Sequence, residues 1–318
     1  MAIKKFGQYV LLRVTDLEGT VAFEANDLRI DFDIRHISTY TRAKFGIYNL
    51  LPETVKRITS GEKYVTIEVG LHGAEPTVIA DKLFVGNALE ELKVPDTVLS
   101  LYCYSRLHKM YLEKQVDITI KNPTLKNTVK DILDTVGFSG QIIYKSFPPE
   151  VLAYVPDKPH SKQRGSALTC LEALAAQFDF NFYTEGDNIV IMCKPTSKNV
   201  SGTDLYNNKG QIILDTRNMR TNPKLGPATL LIHSNLEPKI RPSSIVNITN
   251  LLTAGTDVDG EALSVAQDLL KNSVAGKATY QVLSVQHKGS NFTKDWSTHL
   301  FASNPTAGTN MSTTAWFK

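Results

Sequence analysis

Between residues 28 and 35 every second side chain is apolar: Leu28, Ile30, Phe32 and Ile34 alternate with Arg29, Asp31, Asp33 and Arg35. A period of two places alternate side chains on opposite faces of an extended chain, so this segment reads as a strand with one face buried and one charged face in water. The pattern recurs. Phe45 and Ile47 carry it through residues 43–50, Val65, Ile67, Val69 and Leu71 repeat it, and residues 98–104 close the series with mixed apolar and aromatic side chains. Turn-forming groups stand between them at residues 24–27, at Ser60-Gly61 and at residues 73–76. One short helical turn interrupts the strands at residues 52–58, where Pro52 lacks the amide that a first helical position leaves unpaired and Glu53 suits the positive helix start. Many short antiparallel strands hide their edges by closing or pairing, which predicts a barrel or sandwich.

From about residue 115 the period changes. Leu125, Val129, Ile132, Leu133 and Val136 recur at helical spacing, with Thr124 as N-cap and Gly137 as stop. A second helix follows on Leu168, Leu171, Leu174, Ala175 and Phe178, capped by Ser166. Residues 181–184 and 188–193 then flank Glu185-Gly-Asp, a hairpin signal. Residues 147–150 and 156–160 read as loops, and 196–210 as linker-like. β character returns at residues 229–233, 245–249, 280–287 and 293–301, with a break at 251–255. The expected fold class is β-rich α+β: two tube-like antiparallel β-barrels with a small inserted α/β region. The expected division is 1–105 for the N-terminal barrel, 106–195 for the insert, 196–302 for the C-terminal barrel and 303–318 for a flexible tail.

Composition narrows the function. A formal net charge of +3 over 318 residues, with no basic run longer than a pair such as Lys4-Lys5, argues against a dedicated nucleic-acid binder. Cys103, Cys170 and Cys193 lie among apolar or aromatic neighbours with no CxxC spacing, which predicts reduced packing residues in a protein made in the cytosol. The start of the chain has no apolar core of signal-peptide length, and no apolar stretch approaches the ~20 residues of a membrane helix.

Three constellations invite a chemical reading and are outweighed by their context. Ser60-Gly-Glu-Lys63 fits the S-x-x-K of penicillin-binding enzymes, but its serine falls in a turn and no S-D-N or K-T-G partner is present. Glu24, Asp33 and Thr39 stand at the E-x8-D-x5-T spacing of phage-type lysozymes, where two carboxylates flank the scissile bond. In those enzymes the acid ends a long helix; none precedes Glu24, and Asp33 belongs to the polar face of a strand. His36, His72 and His108 are evenly spaced, but their surroundings share nothing, and no histidine stands at an established metal-ligand spacing. There is no P-loop, dinucleotide fingerprint or nucleophile elbow. No catalytic residue, metal or cofactor is expected.

The order of the segments resembles a known family. Leu28-Arg-Ile-Asp-Phe-Asp, Ala43-Lys-Phe-Gly-Ile-Tyr-Asn-Leu-Leu-Pro-Glu-Thr, Tyr64-Val-Thr-Ile-Glu-Val-Gly-Leu and Ala80-Asp-Lys-Leu-Phe-Val-Gly-Asn are similar to the opening of baseplate hub proteins of contractile-tailed phages, including Mu-like phages. The helices at 124–137 and 165–178 match the family's small middle domains. Gly226 and the strands after it, then Tyr280-Gln-Val-Leu-Ser-Val-Gln-His-Lys-Gly-Ser and Asp295-Trp-Ser-Thr-His-Leu, resemble its closing strands. The resemblance runs from about residue 5 to 303, with two departures. Gly70-Leu71 stands where the family often has Gly-Tyr, and Arg217-Asn-Met-Arg-Thr-Asn-Pro stands where a glycine-rich loop is common.

The resemblance implies a structural, non-enzymatic part of a virion tail baseplate, made in the host cytoplasm. Two barrels would lie side by side in each subunit, and a homotrimer would form a pseudo-sixfold ring. The ring would join the sixfold tail tube to the threefold central spike, with other baseplate proteins and the tape measure as neighbours. DNA would meet it only by passage through the lumen, and no small-molecule substrate is implied. Partner contacts are expected at Tyr48, at the end of its strand, and at Trp296, for which barrel packing is the competing reading. They are also expected at Trp316 and Phe317, an apolar pair ending a polar tail with no core to join. A carbohydrate- or receptor-binding tail-tip module is the alternative, weakened by 8% aromatic residues and two Trp. A cell-wall hydrolase using Glu24 and Asp33 is the other.

Overall fold

A computed structural model describes residues 7–37, 39–71, 75–121, 123–145, 147, 152–153, 160–193, 212–214, 218–221, 223–225, 229–242, 244–248 and 278–303. The chain divides into two compact units. One holds residues 1–37, 41–104 and 210–318, and the other holds 38–40 and 105–209.

The first unit begins with β1 (Gln8–Thr15), β2 (Val21–Ala25), β3 (Ile30–His36), β4 (Thr41–Tyr48), α1 (Pro52–Thr59), β5 (Tyr64–Leu71), β6 (Thr77–Lys93) and β7 (Asp96–Ser105). Alternation decides what each strand buries. Ile30, Phe32 and Ile34 of β3 join Val10, Leu12 and Val14 of β1, Phe45 and Ile47 of β4, Val65, Ile67 and Val69 of β5 and Leu101 of β7 in one core. Burying each such side chain contributes about 1.5–3 kcal/mol. Ile58 of α1 reaches the same core and Val55 packs against it, while the charged residues of that helix face outward. β2 departs from the sequence reading, which put a turn at residues 24–27: Phe23 and Ala25 face the core and Glu24 faces out, so the turn starts only after Ala25.

The second unit contains a π-helical turn (His108–Leu112), then β8 (Gln115–Lys121), α2 (Leu125–Thr135), β9 (Ile142–Lys145), β10 (His160–Ser166), α3 (Ala167–Phe178), β11 (Phe180–Glu185) and β12 (Asn188–Cys193). Thr124 Oγ1 accepts from the Asn127 amide at 3.1 Å, and Ser166 Oγ accepts from the Thr169 amide at 3.1 Å. Both helices therefore start where the capping chemistry predicts. α2 and α3 pack Val129, Ile132, Leu133, Leu171 and Leu174 against Phe180, Ile189 and Ile191 of the sheet β11-β12-β9. β8 and β10 form a separate antiparallel pair, with His160 opening a strand where the sequence read a loop.

The first unit resumes with β13 (Ile212–Leu214), β14 (Lys224–Leu225), β15 (Thr229–Asn235), β16 (Ile245–Ile248), β17 (Ala278–Ser290) and β18 (Trp296–Ser303). These strands enclose a second core of Leu214, Leu230, Ile232, Val246, Ile248, Tyr280, Val282, Val285, Leu300 and Ala302. The result is β-rich with three short α-helices among the described residues, the expected class. The two cores are not walled by separate sheets. The path runs β14-β15-β18-β17-β3-β4-β7-β6-β5-β1-β2, continuous from the C-terminal strands into the N-terminal ones. β17 makes the join. On one edge it pairs first with β16 (Ile245↔Gln281 to Ile248↔Ala278) and then with β3 (Val285↔His36 to Ser290↔Asp31), while β18 runs along its other edge.

Candidate assembly and binding surfaces

The shared sheet offers two features of functional interest: its free edges and its outer face. β6 is shared between neighbours. Its first half pairs with β5 as far as Tyr64↔Phe84, and a two-residue turn links its far end to β7. Beyond Val85, whose amide donates to Lys63 O, no described strand flanks the other edge. At ~3.4 Å per residue the free edge from Gly86 to Lys93 runs for about 27 Å. Leu89 and Leu92 stand there 45% and 74% exposed, and Val94, in the turn that follows, is 83% exposed. β14, which among the described strands pairs with β15 alone, is one end of the path, and β2 is the other.

The outer face is ordered in rows by the cross-strand register. Gln286, Arg35, Arg42 and Tyr104 are successive partners on β17, β3, β4 and β7. Lys288, Asp33, Lys44 and Tyr102 form the next row, and Ser290, Asp31, Gly46 and Ser100 the third. Two open hollows of about 370 and 360 Å³ lie over these rows and share Asp33 and Lys44. Asp33 accepts from Gln286 Nε2 at 2.7 Å. The Lys44 ammonium lies 5.0 Å from the centre of the Tyr102 ring, and its pKa is raised, first by its hydrogen bond to Tyr102.

Tyr48, expected as a partner contact, ends β4 and lines the second hollow, but it is only 8% exposed. Its hydroxyl donates to Asp31 Oδ2 at 2.7 Å and the Arg29 guanidinium lies 3.9 Å from its ring centre, so neighbours on the sheet hold it from both sides. Asn49 follows with φ 56°, and its side chain bonds Thr97 N and Asp96, fixing the strand end against β7. Trp296 is 7% exposed and meets Phe32 edge-on at 5.7 Å, placing it in the N-terminal core although it belongs to β18. Trp316 and Phe317, the linker at 196–210, the break at 251–255, His72 and Gly226 lie outside the described residues.

The enzymatic constellations do not assemble into reacting pairs. Glu24 pairs with Arg13 at 2.5 Å on β2, and Asp33 is engaged on β3, a strand that does not pair with β2. Ser60 caps the end of α1, its hydroxyl donating to Arg57 O at 3.2 Å. Cys103 and Cys170 are buried free thiols, pushed up by burial. Among the described residues no group of three or more His, Cys, Asp or Glu is placed to hold a metal ion. Among the same residues no helix is long and apolar enough to cross a membrane.

The sequence reading missed a histidine pair across the β3–β17 join. His287 is fully buried; its Nδ1 lies 3.0 Å from Thr298 Oγ1 and its Nε2 3.2 Å from Ile240 O. His36 meets it edge-on at 5.6 Å. Burial, then the charge of Arg241, pushes His287 down to about 3. Burial, then Arg241 and His287, lowers His36 in the same direction.

No protein-family model matches the chain, and no curated protein matches it in sequence. Its fold does match solved structures. The 43 kDa tail protein of prophage MuSo2 from Shewanella oneidensis superimposes with a TM-score of 0.58 at 8% identity, covering 94% of this chain and 98% of that one. A tail protein from Neisseria meningitidis MC58 gives 0.56 at 11% identity over 94% and 97% of the two chains. An E. coli component of the type VI secretion system, described as similar in structure to the T4 bacteriophage tail proteins gp27 and gp5, gives 0.55 at 12% identity over 92% and 76%. The fold of this chain is therefore the one found in these phage tail and secretion-system proteins.

Proposed function

We propose that the chain is a structural, non-enzymatic baseplate hub subunit of a contractile phage tail. Three copies form a ring joining the sixfold tail tube to the threefold central spike. The observation that carries this reading is the continuous sheet path β14-β15-β18-β17-β3-β4-β7-β6-β5-β1-β2, in which the strands around the C-terminal core run side by side with those around the N-terminal core. Three copies of such a subunit present six comparable lobes, the count a sixfold tube needs. The fold shared with phage tail proteins supports the setting.

The physics of the ring is edge pairing. The β14 edge ends that path on one side, and the free Gly86–Lys93 edge lies within it, where β6 runs on past its pairing with β5. Head-to-tail association of unlike edges generates a ring when the rotation closes. It also removes unpaired backbone groups and covers Leu89, Leu92 and Val94. Tyr48 and Trp296 enter this interface as supports of the sheet rather than as anchors, while Trp316 and Phe317 reach the partner from the tail. The likeness to a type VI secretion component favours a second setting for the same part, a secretion machine built on the same ring.

Light scattering of the purified chain, alone and mixed with tube and spike proteins, tests the proposal. A threefold mass in either condition is the expected result. A monomer at every concentration that ignores both partners overturns it and returns attention to glycan binding.

A further inference from the structure

Two rows of the outer face of the sheet, those through Arg35 and Asp33, hold more positive charge than the carboxylate within them can use. Partners directly opposite across a sheet stand ~5 Å apart at Cβ, and like charges so placed destabilise it. Arg35 and Arg42 are such partners. In the adjoining row Lys288 and Lys44 flank Asp33. Within these two rows one carboxylate stands among four cations, Glu91 acting on Lys44 from outside them, and Asp33 is already engaged by Gln286 at 2.7 Å, Arg35 at 3.3 Å and Lys288 at 3.9 Å. Arg42 and Lys44 have no ion pair among the described residues. Arg35, Arg42, Lys44, Tyr102 and Tyr104 line the open hollow of about 370 Å³ between them. An anion seated there turns the opposed guanidinium groups from a repulsive pair into a two-sided clamp.

We propose that this hollow binds the phosphodiester backbone of DNA, with Arg35 and Arg42 as phosphate ligands and Lys44 beside them. The two rows are separated by two residues along the strands, ~6.8 Å, so a polymer charged at each repeat engages both rows at once. Arg35, Arg42 and Lys44 present only donors to the hollow, and the carboxylate in its lining, Asp33, is already engaged. A phosphodiester brings only acceptors to such a wall. A peptide also brings backbone N–H groups, for which the lining offers as side-chain acceptors the Tyr102 and Tyr104 hydroxyls and the engaged Asp33. The placement of this face on a DNA-conducting lumen rests on the ring reading; the binding belongs to each copy.

Fluorescence anisotropy of the full chain with a labelled duplex DNA oligonucleotide, across a salt series, tests the site. Weak binding that falls with salt is expected. Arg42→Gln should reduce the slope of log affinity against log salt by about 1, and Arg35→Gln with Arg42→Gln by about 2. Arg57→Gln, on the exposed face of α1, should leave the slope unchanged. Without DNA, Arg42→Gln should leave the thermal midpoint unchanged or raise it, since it removes a repulsion. A lowered midpoint, an unchanged slope in both variants, or equal binding of polyglutamate at matched ionic strength overturns the assignment, the last in favour of an acidic peptide. Light scattering on the same samples separates the two proposals. A trimer that ignores DNA removes the site and keeps the hub, whereas a monomer that binds DNA keeps the site and removes the lumen.

Discussion

Gly289 lies where the two halves of the sheet meet. It is the cross-strand partner of both Phe32 on β3 and Trp296 on β18, and a Cβ there would stand 2.5 Å from Phe32 Cζ and 2.8 Å from Trp296 Cε3. The rings lie over bare backbone because nothing projects between them. Gly289→Ala should cost about 1–3 kcal/mol by overpacking, read as a lowered thermal midpoint; a midpoint equal to wild type would mean that the rings pack elsewhere. His287, two residues before, makes the same join sensitive to acid. Unfolded, it titrates near 6.5; folded, burial and then Arg241 hold it neutral down to about 3. The unfolded chain thus gains a proton below pH 6.5 that the folded chain refuses. Stability is full above that value and falls as pH drops toward 3, by about 1.4 kcal/mol per pH unit from this group. His299, lowered to about 4 by burial and then by His233, acts in the same sense. Thermal midpoints measured from pH 7.5 to 5 should decline below 6.5, and a flat profile would remove the buried-neutral assignment.

At the scale of elements, β6 differs most from the sequence reading. The resemblance placed a strand through Ala80–Asn87, but the strand continues to Lys93. Its second half lacks the alternation that marked β3, because it is an edge with little to bury it. Leu92, 74% exposed, contributes little to the fold of one copy and lies in the proposed interface. Leu92→Lys should therefore change monomer stability by no more than about 0.5 kcal/mol while lowering the fraction of trimer seen by light scattering. A stable variant with undiminished trimer would move the interface off this edge. The helices behave oppositely. α2 and α3 begin where Thr124 and Ser166 predict, since a cap acts on amides two or three residues away and needs no tertiary partner.

At the scale of the whole molecule, alternation and helical spacing were enough to set the β-rich class and the positions of α2, α3, β3, β4 and the β11–β12 hairpin. Those signals depend on neighbours within a few residues. The order of the strands does not. That β17 pairs with β3, some 250 residues earlier, rests on the backbone of Gly289 meeting Phe32 and on Asn291, which donates to Leu28 O and accepts from Ile30 N. Neither residue advertises this in the sequence. Trp296 shows the same limit: its aromatic character marked it for burial or contact, and only the fold assigned it to the N-terminal core. The outer face is the clearest case. Asp33 and Arg35 were legible as the polar side of a strand, but their neighbours were not. Arg42 stands opposite Arg35, and Lys44 and Lys288 stand opposite Asp33, only once β17, β3 and β4 lie in register. Sequence determines which side of each strand is charged, because that depends on a period of two. Tertiary structure decides which charges face each other, because register joins residues that have no local interaction in the chain.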